Sequence, residues 1–225
     1  MWAFFHNVLI VVVCLATQAL HAGVSFGPSA GYMFGTFSTD DDFSIKGPYV
    51  NFDAGFTLGA NAPWSLSAGL TTRYAELSYE SNGLEKTSKW YYAGGYAGLT
   101  KTLGDSAALR FKLGYAPYSK FFVNSSATMT INGSEQTVKE NTLYEGGTGT
   151  DYSLALLKRS AGKNKYKAVG LCGVEVGGTS QGFTNRTQRA SVRKDGEETR
   201  HTKKESTGDY SLSLVNIAIV LGIQF

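Results

Sequence analysis

The feature that most constrains this chain is a period of two. At its end, Val215, Ile217, Ile219, Leu221, Ile223 and Phe225 alternate with Asn216, Ala218, Val220, Gly222 and Gln224. Successive side chains of an extended strand point to opposite faces, so this spacing predicts a strand with one uniformly apolar face. The pattern recurs upstream. Val24, Phe26, Ala30, Tyr32 and Phe34 alternate with Ser25, Gly27, Ser29 and Gly31, interrupted by Pro28. Val50, Phe52, Ala54, Phe56 and Leu58 face away from Asn51, Asp53, Gly55 and Thr57, and Trp64, Leu66, Ala68 and Leu70 from Ser65, Ser67, Gly69, Thr71 and Arg73. Leu109, Phe111, Leu113 and Tyr115 oppose Arg110, Lys112, Gly114 and Ala116. A further segment sets Ala168, Gly170, Cys172, Val174 and Val176 against Lys167, Val169, Leu171 and Glu175. Around Trp90 to Lys101 and Thr150 to Lys158 apolar residues fall in both phases, and no face is assigned there. Helical spacing is not sustained anywhere beyond residue 22, so the chain reads as all-β.

Residues 1–22 read differently. An apolar run from Val8 to Ala16 is too short to cross a bilayer as a helix, and small residues at Thr17, Ala19 and Ala22 follow it. This predicts a cleaved secretory leader, cut after Ala19 or Ala22, although its start lacks the usual Lys or Arg. The remaining 23–225 form one domain. Of the two cysteines, Cys14 lies in the leader, so Cys172 has no intramolecular partner after cleavage and reads as a small strand residue. Val13 and Leu15 around Cys14 do not suit a lipid-anchor signal. The net charge of +3 gives no reason to propose a nucleic-acid partner.

A terminal Phe225 preceded by alternating apolar residues resembles the assembly signal of bacterial outer-membrane barrels. In layout the 23–225 segment is similar to small eight-stranded barrels such as the transmembrane part of outer-membrane protein A and the opacity-type adhesins. The resemblance implies an all-β, eight-stranded antiparallel up-and-down transmembrane barrel in the bacterial outer membrane. It also implies lipid and lipopolysaccharide neighbours, and assembly machinery that engages the C-terminal strand. Connection lengths fit that layout. Short joints at Gly59 to Pro63, Leu103 to Ser106 and Ser160 to Asn164 alternate with longer polar segments at Ser38 to Gly47, Ser78 to Lys89, Ser119 to Gly149 and Gly178 to Asp209. Short periplasmic turns and long extracellular loops are expected. Within the third long segment, Thr128 to Ile131, Asn132-Gly133 and Ser134 to Val138 predict a hairpin with a type I′ turn, external to the barrel.

A soluble barrel has the same period with the opposite sense, so charge must decide which face is inside. Asp53, Arg73, Arg110, Lys112 and Glu175 all lie on the face of small and polar residues, and the apolar face of the phased strands carries no charge. An Arg at the bilayer midplane costs about 2–4 kcal/mol, so the apolar face is expected outward. The five charges then form an interior polar network, pairing Asp53 with Lys112 or Arg110 and Glu175 with Arg73, or else are separately hydrated by internal water. Trp64, Phe225 and Phe26 near the short-turn end, with Tyr32, Tyr74, Tyr91 and Tyr115 nearer the long segments, fit two interface girdles.

Chemistry is sparse. His6 and His21 belong to the leader, leaving His201 among Lys203, Lys204 and Glu205, so no strand supplies a general base for a Ser/His dyad. Asp40, Asp41 and Asp42 lack a calcium-loop spacing, and Gly146, Gly147 and Gly149 precede no helix. No catalytic residue, metal site or cofactor is assigned. The fourth long segment carries Arg186, Arg189, Arg193, Lys194, Arg200, Lys203 and Lys204, a candidate anion-binding loop for lipopolysaccharide phosphates or an acidic extracellular polymer, or a solvated mixed-charge loop. The expected function is a structural or surface-interaction barrel with a possible extracellular ligand. A lipid-modifying enzyme is the second reading. A narrow channel is the third, because side chains largely fill an eight-stranded lumen.

Overall fold

Alternation over 13 to 25 residues builds long strands, and in the computed structural model they close on themselves. The structure describes residues 23–39, 42–59, 62–131, 134–161, 168–194, 197–205 and 208–225, apart from 82–83. The expected leader, Asp40, Asp41 and the Asn132-Gly133 turn lie outside them. The elements are β1 (Gly23–Ser38), β2 (Asp42–Leu58), β3 (Trp64–Ser81), β4 (Leu84–Leu103), β5 (Ala107–Ile131), β6 (Ser134–Glu145), β7 (Gly149–Ala161), β8 (Val169–Phe183), β9 (Asn185–Lys194), β10 (Glu197–Glu205) and β11 (Tyr210–Gln224).

Neighbouring strands pair antiparallel from β1 through β5, β5 passes to β7, and β7–β8–β11–β1 completes the circle. Eight strands thus form a closed up-and-down barrel that leaves no open edge within the wall. Pro28 is accommodated without a slip, since Phe26↔Ile223 and Ser29↔Val220 share one register.

The wall is turned inside out relative to a soluble core. Leu70 is 70% exposed, Ile219 63% and Phe56 62%, whereas Arg73, Lys112 and Glu175 are buried at 6%, 3% and 2%. Trp64, Phe26 and Phe225 are exposed near the short-turn end, and Tyr32, Tyr91 and Tyr115 nearer the other. An uninterrupted apolar exterior around a polar interior is stable only where the surroundings are hydrocarbon.

β4 and β7, which the hydropathy pattern did not phase, are fixed by their neighbours. Trp90, Tyr92 and Tyr96 point inward and Tyr91 and Leu99 outward; Asp151, Ser153, Ala155 and Leu157 point inward and Tyr152, Leu154 and Leu156 outward.

Two expectations need correction at the elaborated end. The long segments are mostly strand rather than loop. β1–β2 reverses between Ser38 and Asp42, and β5 runs unbroken to Ile131, paired with β6 from Lys120↔Glu145 to Ile131↔Ser134. β6 pairs with β9 and β9 with β10, so upper β5, β6, β9 and β10 stand above the barrel as a four-stranded sheet. A register shift opposite Ala93/Gly95, beside Pro117, marks where β5 changes partner from β7 to β6. Gly146 and Gly147, both at φ 77°, re-aim the chain from β6 into β7.

The second correction concerns the filling, which is not polar throughout. Towards the extended end the lumen is closed by Phe37, Trp90, Phe121, Tyr144, Phe183 and Tyr210. Phe37 lies 4.6 Å from Phe121 and 4.8 Å from Tyr144 between ring centroids, and Tyr144 5.0 Å from Tyr210. Several of these rings sit in segments that their polar neighbours disguised as loops.

Candidate functional site

Below the aromatic plug the inward positions of five barrel strands supply three acid–base pairs. Lys112 Nζ lies 2.6 Å from Asp53 Oδ2, whose other oxygen accepts from Asn51 Nδ2 at 3.0 Å. Thr71 Oγ1 donates to Asn51 Oδ1 at 2.9 Å, extending the network along the wall. Arg110 Nη2 meets Glu175 Oε2 at 3.2 Å. Arg73 Nη2 meets Asp151 Oδ2 at 3.2 Å and its Nη1 donates to Thr179 Oγ1 at 2.8 Å. The Arg73 guanidinium also sits 5.3–5.8 Å from the ring centroids of Tyr49, Trp90 and Tyr92, a cation–π collar that joins the network to the plug.

The expected residues Asp53, Arg73, Arg110, Lys112 and Glu175 all face the lumen, but the partners differ in one case. Glu175 pairs with Arg110, not with Arg73. The register explains it: Arg110 is opposite Ala155, and Ala155 is opposite Glu175, so both charges lie in one cross-strand row with a methyl group between them. Heights counted from the turns ignore the strand stagger that closing a barrel requires. Arg73 instead reaches Asp151, which sequence reasoning missed because its strand was unphased. The signal was present in Asp151, Ser153 and Ala155 alternating with Tyr152, Leu154 and Leu156. Gly114 makes room for that carboxylate: a Cβ built there would lie 1.6 Å from Asp151 Oδ1.

At the short-turn end, Arg159 Nη1 donates to Thr102 Oγ1 at 3.0 Å beside a pocket of about 40 Å³ that also includes Arg110 and Gln224.

The basic segment divides between the two faces of the extension. Arg186, Lys194 and Lys203 share the inner face, which continues the lumen, with Arg186 6.0 Å from the Tyr144 ring. Arg189, Arg193, Arg200 and Lys204 share the outer face, which continues the lipid-facing wall, joined there by Lys139 of β6. Some of this charge is internally matched. Arg200 lies 3.0 Å from Glu198, Arg186 3.6 Å from Glu205, and Lys203 also pairs with Glu205. Hydrogen bonds from Lys203 and Arg200 hold the Glu205 and Glu198 carboxyls below the usual carboxylate range. Lys139, Arg189 and Lys204 form no ion pair among the described residues.

The other candidates are dispersed. His201 is exposed on β10 opposite Ala190, Asp42 is exposed at the start of β2, and Cys172 is exposed on the outer wall. Among the described residues no three His, Cys, Asp or Glu side chains gather as metal ligands. Phe225 is 53% exposed on the belt, and its backbone N–H donates to the Val24 carbonyl at 2.9 Å, tying the terminus to β1.

Neither a protein-family model nor a curated protein matches this sequence. Among solved structures, the chain is similar to Neisserial surface protein A at 11% identity and TM-score 0.45, covering 91% of this chain and 99% of that one. A major outer membrane protein from Thermus thermophilus aligns at 12% identity and TM-score 0.44, over 88% and 99% of the two chains. Ail, the attachment invasion locus protein of Yersinia pestis, aligns at 13% and 0.33, over 89% and 98%. It is the apolar belt, the paired charges within and the closed eight-strand ladder that give this chain the fold of a transmembrane β-barrel.

Proposed function

We propose that the protein is a surface-interaction barrel whose extended end faces outward and whose β5–β6–β9–β10 sheet holds anionic groups of the outer leaflet, the phosphates of lipopolysaccharide. The observation that carries this reading is the placement of Lys139, Arg189 and Lys204 on the one face of the extension that rises from the lipid-facing wall, without ion pairs to any described residue. Arg and Lys favour phosphate oxygens, and a headgroup layer beside the wall meets that face first. A lumen filled by three ion pairs and an aromatic plug supports a recognition role over a conducting one. Phe225 at the barrel seam supports a role for the last strand in engaging the assembly machinery.

The test uses the mature barrel folded in detergent micelles, with binding measured to lipopolysaccharide and to its dephosphorylated form. The phosphorylated form should bind more tightly, and added salt should weaken it by screening. The triple variant Lys139→Gln, Arg189→Gln and Lys204→Gln should lose about tenfold or more in affinity. Equal binding of both lipids, or an unchanged triple variant, refutes the phosphate reading.

A further inference from the structure

Above the aromatic plug, on the inner face of the extension, lies a cup that the phosphate reading does not use. Its volume is about 230 Å³. Phe37 and Tyr144 form the floor, and Phe43 and Tyr79, with centroids 5.5 Å apart, form one wall. The opposite wall belongs to β5 and β6 and presents Ser125, Glu140 and Thr142. Two cations complete the lining: Lys86, whose Nζ is 5.8 Å from the Tyr79 ring centroid, and Arg186.

The polar groups of the lining are fixed by neighbours, and two of their atoms keep unused capacity toward the cup. Glu140 Oε1 accepts from Gln188 Nε2 at 2.6 Å and from Thr142 Oγ1 at 3.4 Å, which fixes the carboxylate in the wall. Lys86 makes no ion pair among the described side chains; Arg186 is anchored through Nη1, 3.6 Å from Glu205 Oε2, while its solvent-shielded Nε has no hydrogen-bond partner. A space below the roughly 300–1,000 Å³ of drug-sized sites admits one ring rather than a peptide or an oligosaccharide. Aromatic faces suit the C–H face of a pyranose, a fixed carboxylate and hydroxyls suit its hydroxyl edge, and two cations suit one negative group. A purely apolar ligand would desolvate the Lys86 ammonium without a counter-charge and leave Arg186 Nε unsatisfied, which is costly.

From this lining we infer that the cup binds a single carboxylated pyranose unit, its ring on Tyr79 and Phe43 and its carboxylate toward Lys86 and Arg186. The site shares no residue with the outer basic face, so the two readings stand or fall separately.

The experiment titrates the micelle-folded mature barrel with methyl glucuronide, methyl glucoside and acetate, following ligand-saturation NMR and calorimetry. The glucuronide should bind saturably at one site, the glucoside about tenfold more weakly, and acetate without saturation. Lys86→Gln, at a partly exposed position, should bring glucuronide and glucoside within about twofold of each other. Tyr79→Leu should weaken both sugars, with heat-dependent gel mobility checking that the barrel is folded. The Lys139, Arg189 and Lys204 triple variant should bind the glucuronide as the parent does. Absence of saturable glucuronide binding overturns the inference, as do equal affinities for the two sugars in the parent, acetate competing as well as the glucuronide, or an unchanged Lys86→Gln profile.

Discussion

Replacing Lys112 by Met removes one charge from the best-paired site in the lumen while nearly conserving side-chain volume. Lys112 and Asp53 are both buried, with Nζ 2.6 Å from Oδ2. At an effective dielectric constant of about 20, charges at that distance attract by about 6 kcal/mol. Desolvation opposes this by several kcal/mol for each ion, so the intact pair is worth far less than its Coulomb energy. Lys112→Met leaves the Asp53 carboxylate with its Asn51 hydrogen bond and no counter-charge. The expected loss is about 3–5 kcal/mol, read as the shift in guanidinium unfolding of the barrel refolded into lipid vesicles. Asp53→Asn should also destabilise, because it strands the Lys112 ammonium. Combining the two removes both charges together, so the double variant should be more stable than the sum of the singles implies by about 2 kcal/mol or more. If Lys112→Met costs less than about 1 kcal/mol, or the two changes add within about 0.5 kcal/mol, the pair is not the buried, coupled unit described above.

Gly114→Ala should cost about 1–3 kcal/mol in the same unfolding assay, since the new methyl would occupy the space of Asp151 Oδ1, whereas Gly182→Ala, whose nearest neighbour is a carbonyl at 3.8 Å, should stay within about 0.5 kcal/mol of the parent. Phe225→Ala should lower the folded fraction in the outer membrane, measured by heat-dependent gel mobility, while leaving the vesicle-refolded barrel nearly as stable, because the ring is half exposed and the backbone bond to Val24 remains. Protein recovered from the membrane should begin at Leu20 or Gly23 by N-terminal sequencing, and an N-terminus upstream of residue 17 would contradict the leader. In planar bilayers the barrel should show no steady open-pore conductance, and a sustained ohmic current would contradict a lumen closed by the Arg73 collar and the rings above it.

What could be read from sequence follows from what each surface must satisfy. The lipid-facing wall tolerates no charge near the midplane, so its residues write an alternation clear enough to place β1, β2, β3, β5 and β11 and to turn their apolar faces outward. The lumen imposes only that charges be matched, and the match is made across space by strand stagger. That is why Arg110 finds Glu175 across Ala155, and why Asp151 stayed hidden in a strand whose inward Ala155 and Leu157 are as apolar as its outward Leu154 and Leu156. The extension imposes less still. Once β5 passes the plug, beyond Val123, neither of its faces is held in hydrocarbon or a packed core, so hydropathy loses its contrast although the backbone ladder with β6 continues to Ile131. Only turn chemistry, the Asn132-Gly133 step, announced a strand pair there. The same loss of contrast concealed that Arg186 to Lys204 belong to two strands. A cluster of seven cations in sequence becomes, by alternation alone, an outer face rising from the bilayer wall and an inner face over the aromatic cup. Two recognition surfaces of different chemistry can therefore be drawn from one charged segment, and the register of β9 against β6 and β10 keeps them apart.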